Sequence, residues 1–280
     1  MSTPHPHVPA QRIVPFVIGN ARIGLLLLGA ATLAVWSSPA KAQTAVDLGS
    51  AASFAVLASS GITNVGVTQV TGNVGTAPTA TIDGGGSFNF VTGSNHGNDS
   101  FTQNAQSAAA TAYADAAGRA ATPVGGALGG TSPAPGVYSA GTFGITGILT
   151  LDAGGNPNAV WIFQAGATLG TAALSQVALL NGAQAANVFW QVGTSATLNG
   201  TNFAGSILAD QSITVTTGVA VDGRLLALGA HVTLDSNTLT VPSAIPEPAA
   251  SAVSRRWARS VSQSGDAARV NRLIRSRTCA

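Results

Sequence analysis

The chain has 280 residues, of which 45% are hydrophobic but only 5% aromatic and 8% charged, with 34 glycines. Low charge with this much apolar content excludes ordinary disorder, which needs the opposite balance, and suits a β-rich protein with many tight turns. The net charge of +2 hides a segregation: residues 43–244 carry Arg119 and Arg224 against eight aspartates, net −6, while 245–280 carry seven arginines against Glu247 and Asp266, net +5.

In chain order, residues 1–42 read as a secretory signal peptide. Arg12 and Arg22 give a basic start, Ile23 to Trp36 is the apolar stretch, and Ala40-Lys41-Ala42 is an A-x-A cleavage site. The expected mature protein starts at Gln43 and is secreted, with cleavage after Ala42. No stretch after Trp36 is long and apolar enough to span a bilayer. Residues 43–244 form the expected folded domain. Within it, Ser100 to Ala121 is Ala-rich and free of Gly and Pro up to Gly118. Ala is the strongest helix former, and Asp99 or Ser100 can cap the start. The pattern predicts a helix over 100–119 whose small side chains allow close packing.

The rest of the domain alternates short apolar runs with turn residues. One run type is Val160-Trp161-Ile162-Phe163, Val188-Phe189-Trp190-Gln191, Ile207-Leu208-Ala209 and Leu225-Leu226-Ala227. A second follows each: Ala167-Thr168-Leu169, Ala196-Thr197-Leu198, Ile213-Thr214-Val215 and Val232-Thr233-Leu234. Leu149-Thr150-Leu151 starts this second series. The recurrence of about 18 residues with three short strands describes one coil of a triangular β-solenoid. Side chains alternate sides along a strand, so Thr150, Thr168, Thr197, Thr214 and Thr233 are expected to form one outward column. Gly166, Ser195, Ser212 and His231 flank it on one side, with Asp152, Gly170, Asn199, Thr216 and Asp235 on the other. Past Pro242, Ile245-Pro246-Glu247-Pro248 resembles a Pro-Glu-Pro sorting signature, but the Arg cluster follows at once with no hydrophobic helix between. Residues 245–280 are expected to be a disordered basic tail.

Several chemistries lack their residues. The single cysteine, Cys279, excludes an intrachain disulfide and a Cys-based zinc site. The acidic domain lacks the basic surface that nucleic-acid binding requires. Asp83-Gly84-Gly85-Gly86 lacks the ligand ladder of a calcium loop and reads as a turn. His96 and His231 lie near no nucleophile-elbow sequence. No enzyme, cofactor, metal or small-molecule substrate is expected.

The ordered matches resemble the ice-binding-protein-like (DUF3494) family over about Asp47 to Val241. They include Leu48-Gly49-Ser50-Ala51-Ala52-Ser53-Phe54, Thr71-Gly72-Asn73-Val74-Gly75, Pro135-Gly136-Val137-Tyr138, Asn187-Val188-Phe189-Trp190-Gln191 and Gly223-Arg224. The resemblance implies a mainly β fold: a discontinuous right-handed triangular β-solenoid with one long α-helix alongside, both chain ends contributing coils. It also implies that a flat face binds ice and restrains its growth and recrystallisation. The expected ice-binding residues are Thr150, Thr168, Ser195, Thr197, Ser212, Thr214, Thr216 and Thr233, and the expected partner is ice or ordered water. The protein is expected to be a monomer. A second reading gives the same solenoid an extracellular adhesion or scaffold role at a cell surface or matrix.

Overall fold

The computed structural model describes residues 43–242, so the expected leader (1–42) and basic tail (245–280) lie outside the described residues. Phe54–Ala58 (β1), Gly61–Val65 (β2) and Val67–Thr71 (β3) make one coil. Asn73–Thr76 (β4), Ile82–Asp83 (β5) and Ser87–Thr92 (β6) make the next, and Asn95–Gly97 (β7) begins another. The helix α1 (Ser100–Gly118) follows, then Thr122–Pro123 (β8). Coiling resumes with Gly136–Ala140 (β9), Phe143–Ile145 (β10) and Ile148–Asp152 (β11), then Trp161–Ala165 (β12), Leu169–Thr171 (β13) and Gln176–Leu180 (β14). Val188–Val192 (β15), Ala196–Leu198 (β16), Asn202–Ala209 (β17), Ile213–Val215 (β18), Ala220–Ala227 (β19), His231–Asp235 (β20) and Thr238–Thr240 (β21) complete the winding.

The coils do not stack in chain order. β1, β2 and β3 pair in parallel with β19, β20 and β21, so the first coil lies on the last. The solenoid is therefore discontinuous, as the resemblance implied. The helix carries the chain from the β7 end back to the β8 end. Its 19 residues span about 28 Å, close to six strand spacings of about 4.8 Å.

Each of the three sides has its own chemistry. Side one (β7, β4, β1, β19, β17, β15, β12, β9, β8) is buried on both faces along its middle strands, β1, β19, β17, β15 and β12. Val56, Leu225, Ile207 and Trp190 point into the solenoid core. Leu57, Leu226, Leu208, Phe189 and Ile162 point outward, under the helix. Two-sided burial explains why these strands are continuous apolar runs rather than alternating ones. The helix meets them with Ala105, Ala109, Ala112 and Ala116, which share one face at helical spacing. Asp99 caps it by accepting the Thr102 N–H at 2.8 Å.

Side two is a seven-stranded sheet in the order β10, β13, β16, β18, β20, β2, β5. Side three holds β11, β14, the first halves of β17 and β19, β21, β3 and β6. β17 and β19 each turn a corner between sides three and one, with Gly205 and Gly223 paired at the bend. Gly205 has φ +112°, and a Cβ on Gly223 would meet the Gly205 carbonyl oxygen at 1.9 Å. The corner therefore admits glycine alone. Inside, Phe163 stacks on Trp190 at 4.3 Å between centroids, and the Trp190 indole N–H donates to the Ala204 carbonyl at 3.0 Å, which satisfies its one polar group.

Candidate functional site

Side two carries most of the residues that the sequence pattern singled out. Its strands alternate strictly: Ala196, Leu198, Ile213, Val215, Val232 and Leu234 are buried, so the residues between them face out. Parallel register places Gly144 beside Gly170, Gly170 beside Thr197, Thr197 beside Thr214, and Thr214 beside Thr233. Thr233 pairs with Thr63, and Thr63 with Asp83. These pairings run without a register shift, unlike β1–β4, β4–β7 and β3–β6. The result is one straight column of Gly144, Gly170, Thr197, Thr214, Thr233, Thr63 and Asp83.

Thr197, Thr214 and Thr233 thus stand together as expected, but two residues of the expected column do not. Thr150 lies in β11 on side three, paired with Ala178. Its spacing from Thr168 matches the coil period, yet the side-two strand of that coil is β10. The outward position of β10 is Gly144, so no Thr marks it. Thr168 is exposed on side two but sits two residues before Gly170, the true partner of Thr197. The misalignment has a physical cause. β13 turns Leu169 and Thr171 inward, and the buried Thr171 hydroxyl accepts the N–H groups of Asn199 at 2.8 Å and Gly200 at 3.0 Å. A polar residue in a core position breaks the apolar-in rule on which the alignment rested.

Thr168 instead begins a flanking column with Ser195 and Ser212, one strand step from each other by the same register. The Ser195 and Ser212 hydroxyls lie 3.0 Å apart. His231, exposed, continues this column beside Gly61. On the other flank the Thr216 hydroxyl donates to the Leu198 carbonyl at 3.1 Å, so its proton is already committed. Thr63 was not anticipated. Its strand, Gly61-Ile62-Thr63-Asn64-Val65, has the Ile-Thr pattern of Ile213-Thr214, but only coil stacking across 170 residues of sequence brings it to Thr233. Its hydroxyl donates to the Asp83 carboxylate at 3.1 Å.

The described residues also contain a Ser-His-Asp sequence of contacts. Ser94 Oγ lies 3.2 Å from His96 Nε2, and His96 Nδ1 lies 2.9 Å from Asp99 Oδ2. Asp99 is occupied as the helix cap. The Thr102 backbone N–H, then His96, holds its carboxyl below the ordinary value. The His96 ring packs against both Phe54 and Phe101, at 5.8 and 5.0 Å between centroids, and those two rings also touch each other at 5.2 Å. This arrangement ties β7 to the start of α1. The surface cavity of about 390 Å³ beside Asp222 and Pro242 takes no residue from side two and is lined by Leu179, Ala183 and Val241.

Comparison with known proteins agrees with this geometry. A family described as ice-binding-like matches residues 56–240, from β1 to β21. An ice-binding protein of Nostoc sp. (strain HG1) is 41% identical over 236 residues, covering 80% of this chain and 87% of that protein. An ice-binding protein of a Colwellia species is 37% identical, over 81% of this chain and 96% of that one. Among solved structures, an ice-binding protein from an Antarctic biological consortium superimposes with a TM-score of 0.69 at 39% identity, covering 73% of this chain and 94% of that chain. One from the Antarctic ascomycete Antarctomyces psychrotrophicus gives 0.67 at 41% identity, covering 72% and 100%. The parallel coils, the helix laid along side one and the family match from the first coil to the last agree: this chain belongs to the ice-binding-like family.

Proposed function

We propose that this protein binds ice through side two, with Thr197, Thr214, Thr233 and Thr63 as the central column and Thr168, Ser195 and Ser212 beside it. The observation that carries this is the unbroken register of four threonines on adjacent parallel strands. Adjacent strands stand about 4.8 Å apart, and alternate residues on one strand about 6.5–7 Å apart, so the face presents hydroxyls and methyls as a two-dimensional array. Thr is stiff at χ1, which holds that array in place. Its hydroxyl anchors a water while its methyl favours ordered water around it. The hydroxyls of Thr197, Thr214 and Thr233 donate to no protein group among the described residues, which leaves them for water. The carboxylates of the face stand at its end and rim, at Asp83 and Asp235. A protein that acts on external ice has to be exported, and the leader-like pattern of residues 1–42 supports that.

The test is ice recrystallisation in a sucrose film, with the parent beside a Thr197→Tyr, Thr214→Tyr double variant. Inhibition by the parent and its loss in a folded variant is the expected result. A folded variant as active as its parent would move the ice site to another side. A parent inert at high micromolar concentration would favour the adhesion reading.

A further inference from the structure

The two ends of the solenoid are finished differently. At the β9–β11 end a covering segment satisfies the outer edge. Leu128 N–H donates to the Gly144 carbonyl (2.8 Å), Gly130 N–H to Ile148 (2.7 Å), and Thr150 N–H to the Thr131 carbonyl (3.0 Å). At the other end β6 is the sheet edge, paired on one side only with β3. The Ser87 N–H donates to the Gly66 carbonyl at 2.9 Å. By the alternation of a parallel ladder, Ser87 and Asn89 therefore turn their backbone groups to β3, while Phe88 and Phe90 turn theirs to the open side. No backbone partner meets them there among the described residues. Behind this edge the core is closed by the half-buried side chains of Ile82, Phe88 and Phe90, the two rings 5.9 Å apart, with Val91 63% exposed.

An open strand of this kind is ordinarily guarded by charge or proline. The sequence Ser-Phe-Asn-Phe-Val-Thr has neither, in a domain of net charge −6. We propose that β6 pairs antiparallel with β6 of a second copy about a two-fold axis at Asn89. In that register Phe88 exchanges both backbone hydrogen bonds with the partner's Phe90, and Phe90 with the partner's Phe88, so the four open valences on each edge are met by their own kind. Head-to-tail stacking is excluded, because the far end is already covered. The partner is thus a second open end, and the assembly closes as a dimer. The interface lies at the end of side three and leaves side two free. A contact made by one six-residue strand from each copy is small beside the roughly 1,200 Å² of a stable interface, so the dimer is weak.

The test is sedimentation equilibrium of the chain from Gln43 to its C-terminus, up to about 1 mM, the range of a weak complex. The parent should approach twice the monomer mass with rising concentration. Asn89→Lys and Asn89→Asp place like charges against each other across the axis and should each remain monomeric. Their equimolar mixture should recover the dimer. Asn89 is exposed, so both variants fold, which circular dichroism checks. A parent that stays monomeric throughout, a dimer undisturbed by Asn89→Lys, or a mixture that stays monomeric would each overturn the proposal.

Discussion

Two glycines continue the proposed ice-binding column beyond Thr197, and filling them is the sharpest test of it. Gly170 faces outward beside Thr197 and Gly144 beside Gly170, and a Cβ at either would meet nothing within 4 Å. Neither has a positive φ, so Thr enters without strain, and as a β-branched residue it should stabilise the strand by up to about 1 kcal/mol. Four threonines at about 4.8 Å spacing span roughly 14 Å, and six would span roughly 24 Å. If each added methyl and hydroxyl contributes about 0.5 kcal/mol of contact with ordered water, the pair contributes about 1 kcal/mol, roughly fivefold in effective affinity. Gly144→Thr, Gly170→Thr should therefore lower the concentration that arrests recrystallisation by roughly that factor, at equal or higher Tm. A folded double variant no more active than its parent would refute the argument, because the face would have gained matching sites without binding ice better.

Two further predictions concern what holds the face in place. Arg224 is buried, and its guanidinium donates to the Ala52 carbonyl at 2.8 Å and to Ser206 Oγ at 3.2 Å. Arg224→Ala should cost about 2–3 kcal/mol by orphaning those groups, measured by urea denaturation. Burial pushes the guanidinium down to about 10, the sign of a charge held at a cost, so Arg224→Met should lose less than Arg224→Ala. The carboxyls of Asp99 and Asp152 are both held below the ordinary 3.8, chiefly by the backbone N–H groups of Thr102 and Gly154. A lowered carboxyl contributes stability that is fully present above its unfolded value and lost as pH falls through the folded one. Tm should hold down to about pH 4 and fall below it, and Asp99→Asn, Asp152→Asn should flatten that fall in a thermal-melt series.

Much of this molecule was legible in its sequence, and the failures share one cause. The helix followed from local signals, an Ala-rich run after Asp99, and both are local in the structure. The solenoid followed from repeated apolar-Thr-apolar triplets such as Ala196-Thr197-Leu198 and Ile213-Thr214-Val215, because an apolar-in, polar-out strand of three residues leaves few other solutions. Thr150 and Thr168 were misplaced where the repeat rule met an exception. Gly144 offered no side chain to mark its strand, and Thr171 put a hydroxyl inside. Thr63 escaped because its place in the column depends on which coil lies on which. No local pattern states that the first coil stacks on the last.

That same discontinuity sets how the face is kept in register. The column crosses from the C-terminal coil to the N-terminal coil between Thr233 and Thr63, so the docking of chain ends, not chain continuity, aligns Thr63 with the other threonines. A buried polar network stands at that junction. Thr68 Oγ1 donates to Asn64 Oδ1 at 2.7 Å and accepts the Asn237 N–H at 3.2 Å. The Asn237 side chain donates to the Thr216 carbonyl at 2.7 Å, and that of Asn64 to the Ser87 carbonyl at 3.0 Å. Four successive coils are thereby tied at the corner between sides two and three. Apolar packing alone tolerates small slips, whereas a slip here would strand several buried polar groups at once. A face whose use depends on spacing at the scale of a water lattice needs that kind of constraint where the backbone supplies none.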